Sequence, residues 1–246
     1  MVRVALLLLS FVLNVSVRAA DVCIINSYPI PPARKVESRV RELLKEQGDN
    51  VVSSGCSIKV LIGTPAVVEE LKKNCNCKHV YTFVLFPEKF GLQRRSNYYG
   101  VRIFPLPDRT YKRFLTFSSL KSGKVAVPVS KEMLPIARIY LKKRYFVIIP
   151  FKRSPVETFR ELLNYKYVYI FPDPELLKLV NLVTLINFCK DNKLLIFSGL
   201  SDLSRFNLDY VDRIDFEKIA QEIVFLTENK SAVKILPCPV KKDEKF

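Results

Sequence analysis

The chain contains no tryptophan, one histidine, two methionines and only seven glycines among 246 residues. Scarce glycine goes with absent phosphate cradles: neither G-x-x-x-x-G-K-[ST] nor G-x-G-x-x-G occurs. The G-x-S-x-G nucleophile elbow and the H-E-x-x-H metal helix are missing as well. His79 is the only imidazole available to a Ser-His-Asp triad, and it opens a predicted strand, away from the loops where such sites gather. No catalytic residue and no cofactor are therefore expected. Beyond the N-terminus no apolar run approaches the roughly 20 residues that span a bilayer.

Charge and cysteine are plentiful. The formal charge is +16, which invites nucleic acid or an anionic surface as partner. The basic residues are spread along helices such as EELKKN and YLKKRY, where they read as solvated faces. Arg3, the apolar run Val4 to Leu13 and the small-residue pattern Val17-Arg18-Ala19 read as a cleaved signal peptide over residues 1–20. Export argues against nucleic acid, and implies a periplasmic or otherwise extracytoplasmic location. The mature chain is expected to start near Ala20 or Asp21. Few glutamines with abundant lysine and glutamate also suit a thermophile.

Six cysteines in an exported chain permit disulfides, with 15 possible pairings. Asn74-Cys75-Asn76-Cys77-Lys78-His79 places two thiols and an imidazole close together, which suits a soft metal ion, but no fourth ligand is evident from the sequence and no metal is expected. Cys23, Cys56, Cys75 and Cys77 all fall near strand starts or helix ends, hence at the bottom of one α/β layer. A disulfide from Cys56 to Cys75 or Cys77 is the expectation.

Short β-rich runs alternate with helical patterns from end to end, the mark of an α/β fold with parallel sheets. Strands are expected at Asp21 to Ser27, Val51 to Ser53, Ile58 to Ile62, His79 to Leu85 and Val101 to Phe104, separated by helices ending at Gly48 and Asn74. A helix opened by Pro107 leads to a second series, with strands at Val125 to Val129, Tyr145 to Pro150, Tyr167 to Phe171 and Leu194 to Ser198. Its helices run Lys131 to Lys143, Pro155 to Asn164 and Pro174 to Lys190. The chain closes with helix Asp215 to Glu228, strand Val233 to Pro237 and a charged tail, 241–246. The expected units are an N-terminal lobe, 21–115, and a C-terminal lobe, 116–240. A hinge crossing is placed near 105–123 and another after 200.

Three corners share a design: Gly63-Thr64-Pro65, Arg153-Ser154-Pro155 and Pro172-Asp173-Pro174 each put a side-chain oxygen at an N-cap and proline at the first helical position. Ser154 and Glu157 also form a capping box. The 174–190 helix is apolar over more than one face, which fits burial between layers or homodimerisation.

VLIGTPAVVEELKK (60–73), HVYTFVLFPEKFGL (79–92), NYYGVRIFPLPDRTYKRF (97–114) and YKYVYIFPDPELLKLVNLVTLINFCKDNKLLIFSG (165–199) resemble, in order, blocks of the ABC-transporter substrate-binding family that includes tryptophan- and tyrosine-binding proteins. The resemblance implies two Rossmann-like lobes with parallel sheets joined by a hinge, the periplasmic-binding-protein type 1 fold. It also implies a non-catalytic solute-binding protein that holds a small amino-acid-like or carboxylate ligand between the lobes and presents it to a membrane permease. Carried to the strand ends, it nominates Ser27, Tyr28, Gly63, Thr64, Pro65, Phe86 and Pro87 in the first lobe and Ser130, Phe151, Asp173 and Ser198 in the second. In this scheme the helix at Thr64 takes a carboxylate, Tyr28 and Phe86 stack on an apolar body, and Asp173 pairs with an amine. Two departures stand out: a shortened stretch between the first helix and Ile58, and LSRFNLDYVDRID, with Arg205 and Phe206, where the family is glycine-rich. They support an alternative, a degenerate binding fold that serves as sensory or assembly partner of a membrane protein.

Overall fold

The computed structural model describes residues 19–73, 75–152, 155–228 and 233–241. The segment up to residue 18 that reads as a signal peptide, the cap expected at Ser154 and the tail beyond Lys241 lie outside the described residues.

Two all-parallel sheets form two lobes. The first sheet has the order β11-β5-β4-β3-β1-β2, built from β1 (Asp21–Asn26), β2 (Asn50–Val51), β3 (Ile58–Ile62), β4 (Lys78–Thr82), β5 (Tyr98–Val101) and β11 (Ile235–Leu236). The second has the order β10-β9-β8-β6-β7, from β6 (Val125–Val129), β7 (Phe146–Pro150), β8 (Tyr167–Ile170), β9 (Leu195–Ser198) and β10 (Tyr210–Val211). Both faces of each sheet are covered, so the strands read as continuous apolar runs. In β3, Val60 and Ile62 face the core beneath α1 (Pro31–Glu46) and α7 (Phe216–Glu228), whereas Leu61 faces α2 (Thr64–Lys72). In β6, Val125, Val127 and Val129 pack with α3 (Pro107–Phe117) and α4 (Leu134–Tyr140). Ala126, on the opposite face, meets α5 (Pro155–Phe159) and α6 (Leu179–Asp191).

The lobe limits differ from those read along the sequence. Tyr111 and Phe114 put α3 in the core of the second lobe, so the chain leaves the first lobe before Pro107. It returns after β10: α7 packs with α1, and β11 extends the first sheet beyond β5. α7 and β11 therefore belong to the first lobe, not to a second lobe running to 240. The final segment then lies antiparallel along the return crossover, through the bridge Ile214 to Val240 and the hydrogen bonds Asp215 N to Pro239 O and Lys241 N to Arg213 O. Beside it, Asp212 is fully buried and accepts from Arg113 at 2.6 and 2.8 Å, from Thr110 and from Tyr210, which ties α3 to the crossover.

Two further expectations are corrected. Cys56 bonds to Cys23, and Cys75 to Cys77; the register of β1 on β3, with Val22 opposite Ile58, carries Cys23 to Cys56 before Cys75 can reach it. The 174–190 helix starts only at Leu179, because residues 174–177 form a turn. Its apolar surface divides: Leu182, Leu185, Ile186 and Cys189 are buried, while Leu179 and Val180 are exposed. Among the described residues no helix is long and apolar enough to cross a membrane.

Candidate functional site

Open parallel sheets bind ligands outside the carboxyl ends of their strands, where the strand order reverses. In the first sheet that reversal lies between β1 and β3, and in the second between β6 and β8. Ser27 and Gly63 flank the first reversal; Ser130 and Asp173 flank the second.

At the first corner Gly63, with φ of 103°, is itself the N-cap of α2, and Thr64 and Pro65 are already inside the helix. The expected Thr64 cap is replaced from a distance. Ser27 Oγ donates to Ile62 O at 3.0 Å and accepts from Ala66 N at 3.2 Å. Only glycine fits at 63, since a Cβ there would lie 2.5 Å from Ser27 Oγ and 3.1 Å from the Tyr28 ring. Pro65 is exposed, and Ser27, Tyr28 and Thr64 are half-buried.

In the second lobe Asp173 is fully buried and engaged with backbone. Its Oδ2 accepts from Ser130 N at 2.6 Å, and its Oδ1 from Glu175 N and Leu176 N at 2.9 and 3.3 Å. Asp173 thus caps the 174–177 turn and joins it to the end of β6. Ser198, also buried, donates to Ile170 O and accepts from Leu200 N. Phe151 sits in the other core of the lobe, with α5 and α6, turned from the face that carries Phe86.

Between these corners the lobes meet through aromatic rings. Phe86, from the loop after β4, stacks on Phe171, from the end of β8, with centroids 5.6 Å apart. Phe104, in the first crossover, and Tyr140, at the end of α4, meet Phe86 edge-on at 6.4 and 5.3 Å. Phe86 is 8% exposed, Phe104 1% and Phe171 0%. Beside them Arg102 bonds to Glu88 and, at 2.8 Å, to Tyr140 Oη, which in turn donates to Glu88. Burial pushes the Glu88 carboxyl up, yet the hydrogen bonds from Arg102 and Tyr140 outweigh it and hold the pKa below the usual range. Burial, then the Glu88 hydrogen bond, raises the Tyr140 phenol. Among the described residues the hydroxyl of Tyr81, a β4 residue 1% exposed, has no hydrogen-bond partner, although it lies within electrostatic reach of Arg102, Glu88 and Tyr140. An orphaned buried hydroxyl costs about 1–3 kcal/mol.

Phe86 and Pro87 were nominated from the sequence; Phe104, Phe171, Tyr140, Glu88 and Arg102 were not. A signal for the rings existed. Phe86-Pro87, Phe104-Pro105 and Phe171-Pro172 each come shortly after a strand, β4, β5 and β8 in turn, and proline restricts the backbone of the residue before it. Arg205 and Phe206 are not the residues that close the cleft: Arg205 is exposed, and Phe206 packs within the second lobe. Clear cavities lie elsewhere, one of about 350 Å³ at the hinge, lined by Pro105, Arg109 and Cys238, and one of about 710 Å³ under the first lobe, lined by Cys23, Cys56 and Lys59.

No family model matches the sequence, and no curated protein matches it either. Among solved structures, a conserved domain protein from Vibrio cholerae is similar over 91% of both chains, with 11% identity and a TM-score of 0.56. An ABC domain in complex with L-Trp from Streptococcus pneumonia is similar over 90% of both chains, with 12% identity and a TM-score of 0.55. A XylFII–LytSN complex contains a chain similar over 90% of this one and 97% of its own length, with 14% identity and a TM-score of 0.52. At these identities the likeness is one of fold: the two-lobed α/β architecture is that of the type 1 periplasmic binding proteins.

Proposed function

Starting from that fold, we propose that the protein is an exported, non-catalytic binding protein that takes a small organic ligand between its lobes and hands it to a membrane permease. The carrying observation is the closed aromatic box of Phe86, Phe104, Tyr140 and Phe171 beside the Glu88–Arg102 pair, at the strand ends of both lobes. Its chemistry is that of a ring-bearing amino acid or carboxylate. When the lobes part, an apolar ring replaces the Phe86–Phe171 stack, Arg102 takes the carboxylate, Glu88 takes an amine and the Tyr81 hydroxyl gains a partner. The Thr64 and Asp173 roles expected from sequence give way to Arg102 and Glu88, because Ser27 already holds Ala66 N and three backbone N–H groups already hold Asp173. A neighbour of the same fold is described in complex with L-Trp, which agrees with this ligand class.

A thermal-shift panel of aromatic and aliphatic amino acids and aryl carboxylates tests the reading. A ring-bearing carboxylate is expected to raise Tm, and Arg102→Gln to abolish the rise; a ligand whose effect ignores Arg102 contradicts the assignment.

One observation favours a second reading. Ser27, Asp173 and Ser198, three of the polar side chains nominated at the strand ends, are bonded from within the chain, as in a fold that keeps its cleft shut and serves as partner of a membrane protein. A neighbour of this fold is described in a complex with a second protein. A folded chain that answers no ligand but is retained by a membrane complex would select this reading. Self-association through the exposed Leu179 and Val180 of α6 is compatible with either.

A further inference from the structure

At the base of the first lobe, opposite the cleft, β4 starts beside the end of α2 and gathers three groups with metal-binding chemistry, with the Glu70 carboxylate beside one of them. The ligand atoms of Cys75, Cys77 and His79 all lie within 4.8 Å of one another. His79 Nε2 is 4.0 Å from Cys77 Sγ and 3.6 Å from Glu70 Oε2. Donors around a tetrahedral zinc ion, at about 2.0–2.3 Å from it, stand roughly 3.3–3.8 Å apart. Sequence spacing offered only three donors; the fold adds Glu70 from the buried face of α2, where it is 2% exposed.

The surroundings hold this set in place. The His79 ring stacks on Tyr98, with centroids 4.3 Å apart, and makes a hydrogen bond to the Cys77 backbone; metal-binding imidazoles are oriented by such bonds. The Asn97 amide donates to Cys75 O at 3.3 Å and to Cys77 O at 3.0 Å, which fixes the loop. Lys59 and Lys73 pair with Glu70 at 2.6 and 2.9 Å and offset the charge that two thiolates bring. A cavity of about 190 Å³, lined by Glu70, Cys75, Asn76, Arg95 and Asn97, adjoins two of these groups.

Cys75 and Cys77 are joined as a disulfide across a single intervening residue. We propose that this bond is a redox gate: once it is reduced, the Cys75 and Cys77 thiolates, His79 Nε2 and Glu70 bind one zinc-class divalent cation. A dithiol reductant supplies two electrons and two protons to the disulfide and is itself oxidised to a disulfide; cation binding then releases the two thiol protons. The site is remote from the aromatic box and independent of the function proposed for it.

The test uses the full chain, treated with a dithiol reductant, desalted without oxygen and titrated with Co2+ and then Zn2+. Reduced protein is expected to bind one Co2+ per chain with thiolate-to-cobalt charge-transfer absorption, which Zn2+ abolishes, while the oxidised protein binds none. Cys75→Ser/Cys77→Ser keeps Cys23, Cys56, Cys189 and Cys238 and is expected to lose the signal with its circular dichroism unchanged. Glu70→Gln is expected to weaken binding at least tenfold. Reduced protein without charge-transfer absorption, or a cysteine variant that retains it, overturns the site. Unchanged affinity in Glu70→Gln overturns the four-ligand assignment.

Discussion

Replacing Phe86 by alanine separates a gate from a core. Truncating a buried phenylalanine ordinarily costs about 3–5 kcal/mol, and Phe114, fully buried and stacked on Phe197 at 4.4 Å within the second lobe, should behave so. At about 2–4 °C per kcal/mol for a chain of this size, Phe114→Ala should lower Tm by roughly 6–20 °C. Phe86 instead reaches across the cleft to Phe171 and Tyr140 and touches Phe104 in the crossover. Three aromatic contacts at about 0.5–1.5 kcal/mol each amount to roughly 1.5–4.5 kcal/mol, most of it holding the lobes together. Phe86→Ala should therefore shift the opening equilibrium at least tenfold while lowering Tm less than Phe114→Ala does. Distance measurements between spin labels on the two lobes read the first quantity, and calorimetry the second. Equal Tm losses with no change in lobe separation would refute the gate and make the ring box ordinary core.

Other outcomes follow from the fold. Removing the Cys23–Cys56 bond, which spans a sequence separation of 33, should cost about 2–4 kcal/mol, read from the shift of the urea midpoint of Cys23→Ser/Cys56→Ser. Asp212→Ala strands the Arg113 guanidinium and should cost about 3–5 kcal/mol, read from the urea midpoint; a loss below 1 kcal/mol contradicts the tie between α3 and the crossover. Burial pushes the Glu222 carboxyl up to about 7, with Lys218 lowering it and Asp215 raising it, and its Oε2 has no hydrogen-bond partner among the described residues. The folded state thus binds the proton more tightly than the unfolded chain, so the protein loses stability as pH rises from about 4.5 to 7. Glu222→Gln should recover about 1–2 kcal/mol at pH 8, after discount for partial solvent screening, and nothing near pH 4; equal gains at both pH values would contradict the assignment.

The alternation of strand and helix was legible because buried parallel strands announce themselves as short apolar runs: Ile58–Ile62 and Val125–Val129 match residue for residue. What escaped was non-local. Nothing in Ile235-Leu236 says that it will pair with β5, nor in α7 that it will pack with α1, and these two contacts move both elements to the first lobe. The Cys23–Cys56 bond depends on the register of β1 against β3. At the site, Thr64 looked like a cap because threonine before proline usually is one, whereas the fold brings Ser27 from 39 residues away to bond Ala66 N. Asp173 was found for the right reason, as a cap, although it closes a turn rather than α6. The ring box needed three separate Phe-Pro endings to be seen as one surface, and the metal-type cluster needed Glu70, which sequence spacing alone does not place beside His79.

The central claim is that the cleft is a ligand site held shut by the protein's own rings. Isothermal titration of ring-bearing amino acids and aryl carboxylates into wild type and Phe86→Ala tests it most directly, because a self-occupied site pays for its closed fraction in apparent affinity. The account predicts one ligand per chain, bound at least tenfold more tightly by Phe86→Ala. No heat of binding from either folded protein across the panel, or weaker binding by Phe86→Ala, would contradict it.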